Sequence, residues 1–254
     1  MPIQFARKPG LVVYLTIGDP DLETSQQAAI AAIDAGADVI ELGVPFSDPV
    51  ADGPVIQRAS ERAVARHVSM RDVLTVAAEI RKIRPAAGLI VFSYLNPVLR
   101  YGMEAFCIAA KKAGVDGALL TDLTIDEADE YRRIMRQYGL SPVFLAAPTS
   151  SDERLKRIAE ASAGFVYAIS RTGITGAQRD VDSDAGALVA RVRRFTTLPI
   201  AVGFGISDAS HVAAVGQFAD AAVVGSAVVS AIEKVGPHDA ANAVAHLVKQ
   251  LLPD

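Results

Sequence analysis

Apolar residues recur along the chain in short, often β-branched runs separated by longer segments of helical period. The runs cover residues 11–15, 39–42, 89–92, 118–120, 143–145, 165–169, 200–202 and 221–224, and each predicts a strand. Between them, residues 26–34, 70–83, 104–113, 125–137, 153–161 and 185–195 carry apolar side chains at the three- and four-residue spacing of an amphipathic helix. Runs that are apolar on both faces predict a parallel sheet covered by helices. Eight such units without a second compositional regime predict closure into a single (β/α)8 TIM barrel over residues 1–254. A doubly wound open sheet is also compatible with the same pattern.

Turn chemistry agrees with alternation. Ala35-Gly36-Ala37-Asp38, Ala113-Gly114-Val115-Asp116-Gly117 and Ala163-Gly164 each lie between a helix and the next strand, where a glycine C-cap is expected. The last strand follows Phe218-Ala219-Asp220 and lacks such a glycine. One long gap, between the second and third strands, holds Pro45, Asp48, Pro49, Asp52, Gly53 and Pro54. A long loop after a barrel strand is where function is expected.

Composition narrows the partners. With 254 residues, 51% hydrophobic and 21% charged, the chain can bury one sizeable core. A formal net charge of -4 offers no broad basic field for nucleic acid or anionic lipid, so any anion must be held locally. The single cysteine, Cys107, cannot form an intrachain disulfide, which fits a reducing cytoplasm. Arg7 and Lys8 are followed by no apolar run of signal length, and no stretch approaches a membrane span, so a soluble protein is expected.

Glu41 closes the second apolar run, which puts a partly desolvated carboxylate near the catalytic face of a barrel and favours its neutral form. The plainer reading is a carboxylate paired with arginine in a barrel layer. Asp52 follows in Ala51-Asp52-Gly53-Pro54, where an Asx-turn or helix cap is the plainer reading. One carboxylate on a strand and one on a loop could divide acid and base roles. Near the carboxyl end, Gly203-Phe204-Gly205-Ile206-Ser207 follows the seventh strand, and Gly225-Ser226 follows the eighth and opens a helix. Backbone amides at such successive loops can cradle a phosphate, against the simpler reading of tight turns that need positive φ. Residues 170–178, with Thr175 and Gly176, alternate glycine with hydroxyl residues as a lid could, or as a plain surface loop could. Tyr167 lies inside the sixth strand, either as core or with its hydroxyl in the site.

Absences weigh as much. No histidine and no lysine lies at a predicted strand end, which disfavours a histidine-based metal site and a Schiff-base aldolase. No Walker loop, no GxGxxG after the first strand and no cysteine–histidine cluster is present. No cofactor or metal is expected.

Glu41-Leu42-Gly43-Val44-Pro45-Phe46-Ser47-Asp48-Pro49-Val50-Ala51-Asp52-Gly53-Pro54 resembles the signature of the tryptophan synthase alpha subunit family. The resemblance extends, in family order, to Thr16-Ile17-Gly18-Asp19-Pro20, Tyr94-Leu95-Asn96-Pro97, residues 170–177, Gly203-Phe204-Gly205-Ile206-Ser207 and Gly225-Ser226. It implies cofactor-free cleavage of indole-3-glycerol phosphate to indole and glyceraldehyde 3-phosphate, with a beta subunit as partner in an alpha2beta2 tetramer. It implies that Glu41 protonates indole C3 and takes the glycerol hydroxyl proton, that Asp52 accepts the indole N–H, and that Tyr167 is a site tyrosine. Tyr14, Phe92, Tyr94, Leu119 and Phe204 would line the indole pocket, Thr175 would orient Asp52, and Gly176, Gly203, Phe204, Gly205, Gly225 and Ser226 would hold phosphate. Two departures stand out. Thr121-Asp122-Leu123-Thr124 replaces the family's Pro-Asp-Leu-Pro. The amino end is shorter by roughly one or two helical turns, which implies a less covered barrel bottom.

The rival enzyme is a barrel glycosidase, which needs no phosphate cradle and commonly exposes sugar-stacking aromatics; the chain has no Trp and 6% aromatic residues. A non-catalytic phosphate-binding barrel is compatible with the glycine pattern alone, and a stand-alone lyase that releases free indole is compatible with the carboxylates.

Overall fold

A computed structural model describes residues 3–169, 181–203 and 205–252. The sequence readings on Thr175, Gly176 and Phe204, and on residues 170–178, lie outside the described residues. In chain order the elements are β1 (Gly10–Thr16), α1 (Leu22–Asp34), β2 (Val39–Gly43), α2 (Pro54–Ala65), α3 (Met70–Ile83), β3 (Gly88–Ser93), α4 (Leu95–Tyr101), α5 (Met103–Lys112), β4 (Gly117–Leu120) and α6 (Asp129–Gln137). Then follow β5 (Ser141–Val143), β6 (Leu145–Ala146), α7 (Asp152–Ala161), β7 (Val166–Ile169), α8 (Val181–Arg193), β8 (Ile200–Gly203), α9 (Ala209–Gly216), β9 (Ala221–Val224), α10 (Ser226–Val235) and α11 (Ala240–Leu251).

Every strand pair is parallel, in the order β5-β4-β3-β2-β1-β9-β8-β7-β6. The first and last strands of the chain, β1 and β9, are neighbours, and β5 and β6 are successive pieces of one run on either side of Phe144. The ring therefore closes through that run, and the open sheet is excluded. The single fifth strand expected over residues 143–145 is thereby corrected to two short strands. Pro142 has no N–H to donate to the ladder, and the carbonyl of Phe144 accepts the N–H of Tyr167 at 3.1 Å, so pairing passes within a few residues from β4 to β7.

Alternation along each strand sorts side chains into two layers. Leu11, Val13, Leu15, Ile40, Leu42, Leu89 and Val91 point outward into the core shared with the helices. Val12, Val39, Ile90, Leu119, Val143, Tyr167, Ala201 and Val223 fill the barrel interior. Glu41 has the parity of Val39, opposite Tyr14 on β1 and Ile90 on β3, so its side chain belongs to the interior.

At the amino-terminal face, Ile3 and Phe5 pack into that inner cluster, with Phe5 edge-on to Phe165 at 6.2 Å. The amino-terminal residues thus fill the barrel bottom that the resemblance left less covered. Three aspartates fasten this face by one repeated device. Asp38 accepts the N–H of Leu11 at 2.9 Å, Asp116 that of Leu89 at 2.9 Å and Asp220 that of Ile200 at 2.8 Å. Gly36 (φ 115) and Gly114 (φ 77) take the left-handed turns expected just before two of them.

Candidate active site

Strand β2 carries Glu41 into the upper barrel, where its side chain is 1% exposed. Neither carboxylate oxygen has a hydrogen-bond partner among the described residues, so no described arginine pairs with Glu41. Desolvation penalises the charged form and pushes this carboxyl up to about 8. A carboxyl buried in this way is held largely neutral.

Asp52 sits on the loop between β2 and α2. The phenol of Tyr94 donates to Asp52 Oδ2 at 3.1 Å and accepts from the N–H of Ala51 at 2.9 Å, while Gln57 Nε2 donates to the Asp52 carbonyl at 2.8 Å. The N-cap of α2 is Gly53, with no side chain capping it, so Asp52 is not the cap that its local sequence allowed. Burial raises the Asp52 carboxyl to about 6, and the hydrogen bond from Tyr94 works against that rise.

Tyr14 and Tyr167 are buried, and each fills space left by a glycine on the adjacent strand. A Cβ on Gly43 would stand 2.4 Å from the Tyr14 hydroxyl, and one on Gly203 would stand 2.1 Å from that of Tyr167. Burial, and then the charges of Asp52 and Glu41, raise both phenols well above the usual range. Those four groups therefore share one electrostatic neighbourhood. Phe92 meets Tyr14 edge-on at 5.0 Å, and Leu119 belongs to the same inner layer.

The glycine-rich ends of β8 and β9 do not share one geometry. Gly203 is required by the Tyr167 hydroxyl, whereas Gly205 takes φ 79 and a Cβ there would meet nothing within 4 Å. Gly225 is the N-cap of α10 with φ -119, outside the left-handed region, and no described side chain caps that helix. The first amides of α10, beginning at exposed Ser226, thus face outward without a partner from their own helix. A Cβ on Gly225 would lie 3.4 Å from Tyr14, which sets the uncapped helix end beside the carboxylate pocket. No group of three or more His, Cys, Asp or Glu side chains among the described residues could hold a metal ion.

The family model described as tryptophan synthase alpha chain matches residues 3–252. The chain belongs to the tryptophan synthase alpha chain family. The tryptophan synthase alpha chain of Solibacter usitatus is 48% identical over 227 residues, covering 89% of this chain and 85% of that relative. That of Thioalkalivibrio sulfidiphilus is 48% identical over 231 residues, covering 91% and 86%. Among solved structures, the tryptophan synthase a2b2 complex from Pyrococcus furiosus, described for its mutual activation, matches with a TM-score of 0.90 and 38% identity over 98% of this chain and 99% of that one. The Legionella pneumophila alpha subunit matches with a TM-score of 0.88 and 36% identity, covering 96% and 91%.

In this chain the Thr121-Asp122-Leu123-Thr124 segment has a visible task. Asp122 Oδ1 accepts the N–H of Leu95 at 2.7 Å, capping α4 one residue beyond Tyr94. Sequence reasoning misses both the link from Tyr94 to Asp52 and this cap, since each joins residues dozens of positions apart. The signal that could have found them was the resemblance, which put Tyr94 in the pocket.

Proposed function

We propose that Glu41 and Asp52 carry out the lyase reaction of a tryptophan synthase alpha chain, the cleavage of indole-3-glycerol phosphate to indole and glyceraldehyde 3-phosphate in tryptophan biosynthesis. Residues 1–254 act as one barrel domain, whose partner is the tryptophan synthase beta subunit. The observation that carries the residue assignment is Glu41, buried with neither oxygen bonded among the described residues and held near neutrality by desolvation.

Neutral Glu41 gives its proton to indole C3. The ring takes up positive charge, and Asp52 accepts the indole N–H and stabilises that charge. The bond from C3 to the glycerol carbon then breaks, and its electron pair returns to the ring to form neutral indole. The glycerol hydroxyl loses its proton to the Glu41 carboxylate as the aldehyde forms, which restores the acid. The protonated ring is itself the electron sink, so no cofactor takes part. The phosphate lies against the amides of Gly205, Gly225 and Ser226 at the start of α10, where the helix dipole favours an anion. Tyr14, Phe92, Leu119 and Tyr167 supply the apolar walls for indole. A cytoplasmic location accompanies this reading, supported by the buried free thiol of Cys107 and by the absence of any described helix long and apolar enough to cross a membrane.

The test is Glu41→Gln, which keeps size but cannot transfer a proton. Indole release should fall by a factor on the order of 100 or more, while glycerol 3-phosphate affinity stays near the parent's. Turnover within a few-fold of the parent sinks the assignment.

A further inference from the structure

Among the described residues Asp19 and Glu41 are the buried carboxylates. Glu41 is left unpaired, but Asp19, in the Gly18-Asp19-Pro20 motif that the proposed chemistry does not use, is gripped at both oxygens. Arg62 on α2 donates from Nε to Oδ1 at 2.7 Å and from Nη2 to Oδ2 at 2.8 Å. Its remaining nitrogen, Nη1, donates to Glu233 Oε1 on α10 at 2.8 Å. Arg58, one turn earlier on α2, holds the same Glu233 through Nε at 3.0 Å and Nη2 at 2.8 Å, and its Nη1 reaches the Pro54 carbonyl at 3.3 Å.

This chain of charges joins three elements. It starts in the loop after β1, crosses α2, ties α10 and returns to Pro54, two residues beyond Asp52. The anchor is firm, because the N–H of Gly18 donates to Ser25 Oγ at 3.0 Å and a Cβ at Gly18 would strike Val68 at 2.5 Å. Helix α2 needs such fastening. Its buried residues are Ala59, Ser60 and Ala63, all small, so little apolar area fixes it against its neighbours. Beneath the ion network it meets Tyr14 and Val229 through Ala59, with Val55 and Ile56 packed alongside. Exposed ion pairs alone contribute little, but the Asp19 end is buried and bidentate, the geometry in which arginine cannot be replaced by lysine.

We propose that Arg62 is a positioning residue for the lyase reaction: it holds α2 against α10, so that the Asp52 carboxylate and the amides opening α10 address one bound substrate. This rests on the assignment of Asp52 given above. Lysine at this position would keep the charge but could not hold Asp19 at both oxygens and Glu233 at once.

The experiment is steady-state kinetics and thermal melting of the full chain for Arg62→Lys and Glu233→Gln, each in the parent and in an Asp52→Asn background. Arg62→Lys should lower kcat about tenfold, since small misplacements of a reacting group cost rate, with a smaller change in KM and a melting temperature near the parent's. Glu233→Gln, the gentler variant at a partly exposed site, should lower kcat in the same direction. In the Asp52→Asn background neither change should lower kcat further, because the group being positioned is already gone. Equal fold-losses in both backgrounds, losses that follow the melting temperature, or parent kinetics in Arg62→Lys would each overturn the proposal. Parent-like turnover of Asp52→Asn alone overturns the Asp52 assignment, and this proposal with it, before any Arg62 variant is measured.

Discussion

Glu41 and Asp52 are displaced in the same direction by the same cause, but among the described residues only Asp52 has a donor opposing the shift. Burial sets Glu41 at about 8, and burial less the Tyr94 hydrogen bond sets Asp52 at about 6. Between those values the loop carboxylate is ionised and the strand carboxyl is neutral, which is the division of labour that the reaction needs. The free enzyme should therefore show a bell-shaped kcat/KM against pH, rising through about 6 and falling through about 8, with apparent values that belong to the coupled pair. Tyr94→Phe removes the bond that favours ionised Asp52, so the acid limb should move to higher pH while the alkaline limb stays; an unmoved acid limb would separate Asp52 from it. The same burial has a stability consequence. Because the folded state raises Glu41 from 4.5, its contribution to stability is fully present below the unfolded value and is lost as pH rises through about 8. Glu41→Gln has no charge to bury, so at about pH 9 it should melt above the parent, and the gap should close on acidification. A constant gap in melting scans across that range would mean that Glu41 is not buried as a carboxylic acid.

At the level of elements, the start of α10 is the anion site proposed above, since no described side chain caps its first amides and Gly225 lies beside Tyr14. Glycerol 3-phosphate should protect the amides of Gly225, Ser226 and Gly205 from hydrogen exchange, and glycerol should not. Gly205→Asp should abolish binding, because it adds a negative charge and forces a side chain onto a backbone at φ 79. Protection elsewhere, with these amides unaffected, would move the phosphate site. Elements are legible in the sequence where period and length agree. The apolar period gives helix α3 its observed bounds, and the strands from β1 to β4 to within a residue or two. Helix α2 does not stand out, because Pro54 at its first turn closes a run of loop formers, and α4 is hidden by Pro97. The fifth strand reads as one piece because no local pattern tells that its pairing changes neighbour at Phe144. Of the site, Glu41 and Asp52 are visible as residues, but what holds each is not. Burial without a partner, a phenol from 42 positions away and the Asp19–Arg62 grip are tertiary facts.

At the scale of the whole molecule, a closed ring of parallel strands fixes Glu41, while Asp52 depends on a loop that projects from the ring and leaves Val50 74% exposed. Among the described residues this loop is held by the Tyr94 phenol and by the fastening of α2, and its outer side is bare. A partner that covers the loop's outer side raises the fraction of chains in the competent arrangement by as much as it prefers that arrangement. Purified tryptophan synthase beta subunit, titrated while cleavage of indole-3-glycerol phosphate and complex mass are followed, should raise kcat on the order of tenfold or more as the complex forms. The Asp122 carboxylate, turned inward onto the N–H of Leu95, is engaged within this chain, so Asp122→Asn should leave complex formation intact and Asp122→Ala should loosen Tyr94 and reduce the stimulated rate. A fast isolated chain that neither binds nor responds to the beta subunit would instead place the competent loop arrangement in the barrel alone, and would make this protein a stand-alone lyase that releases free indole.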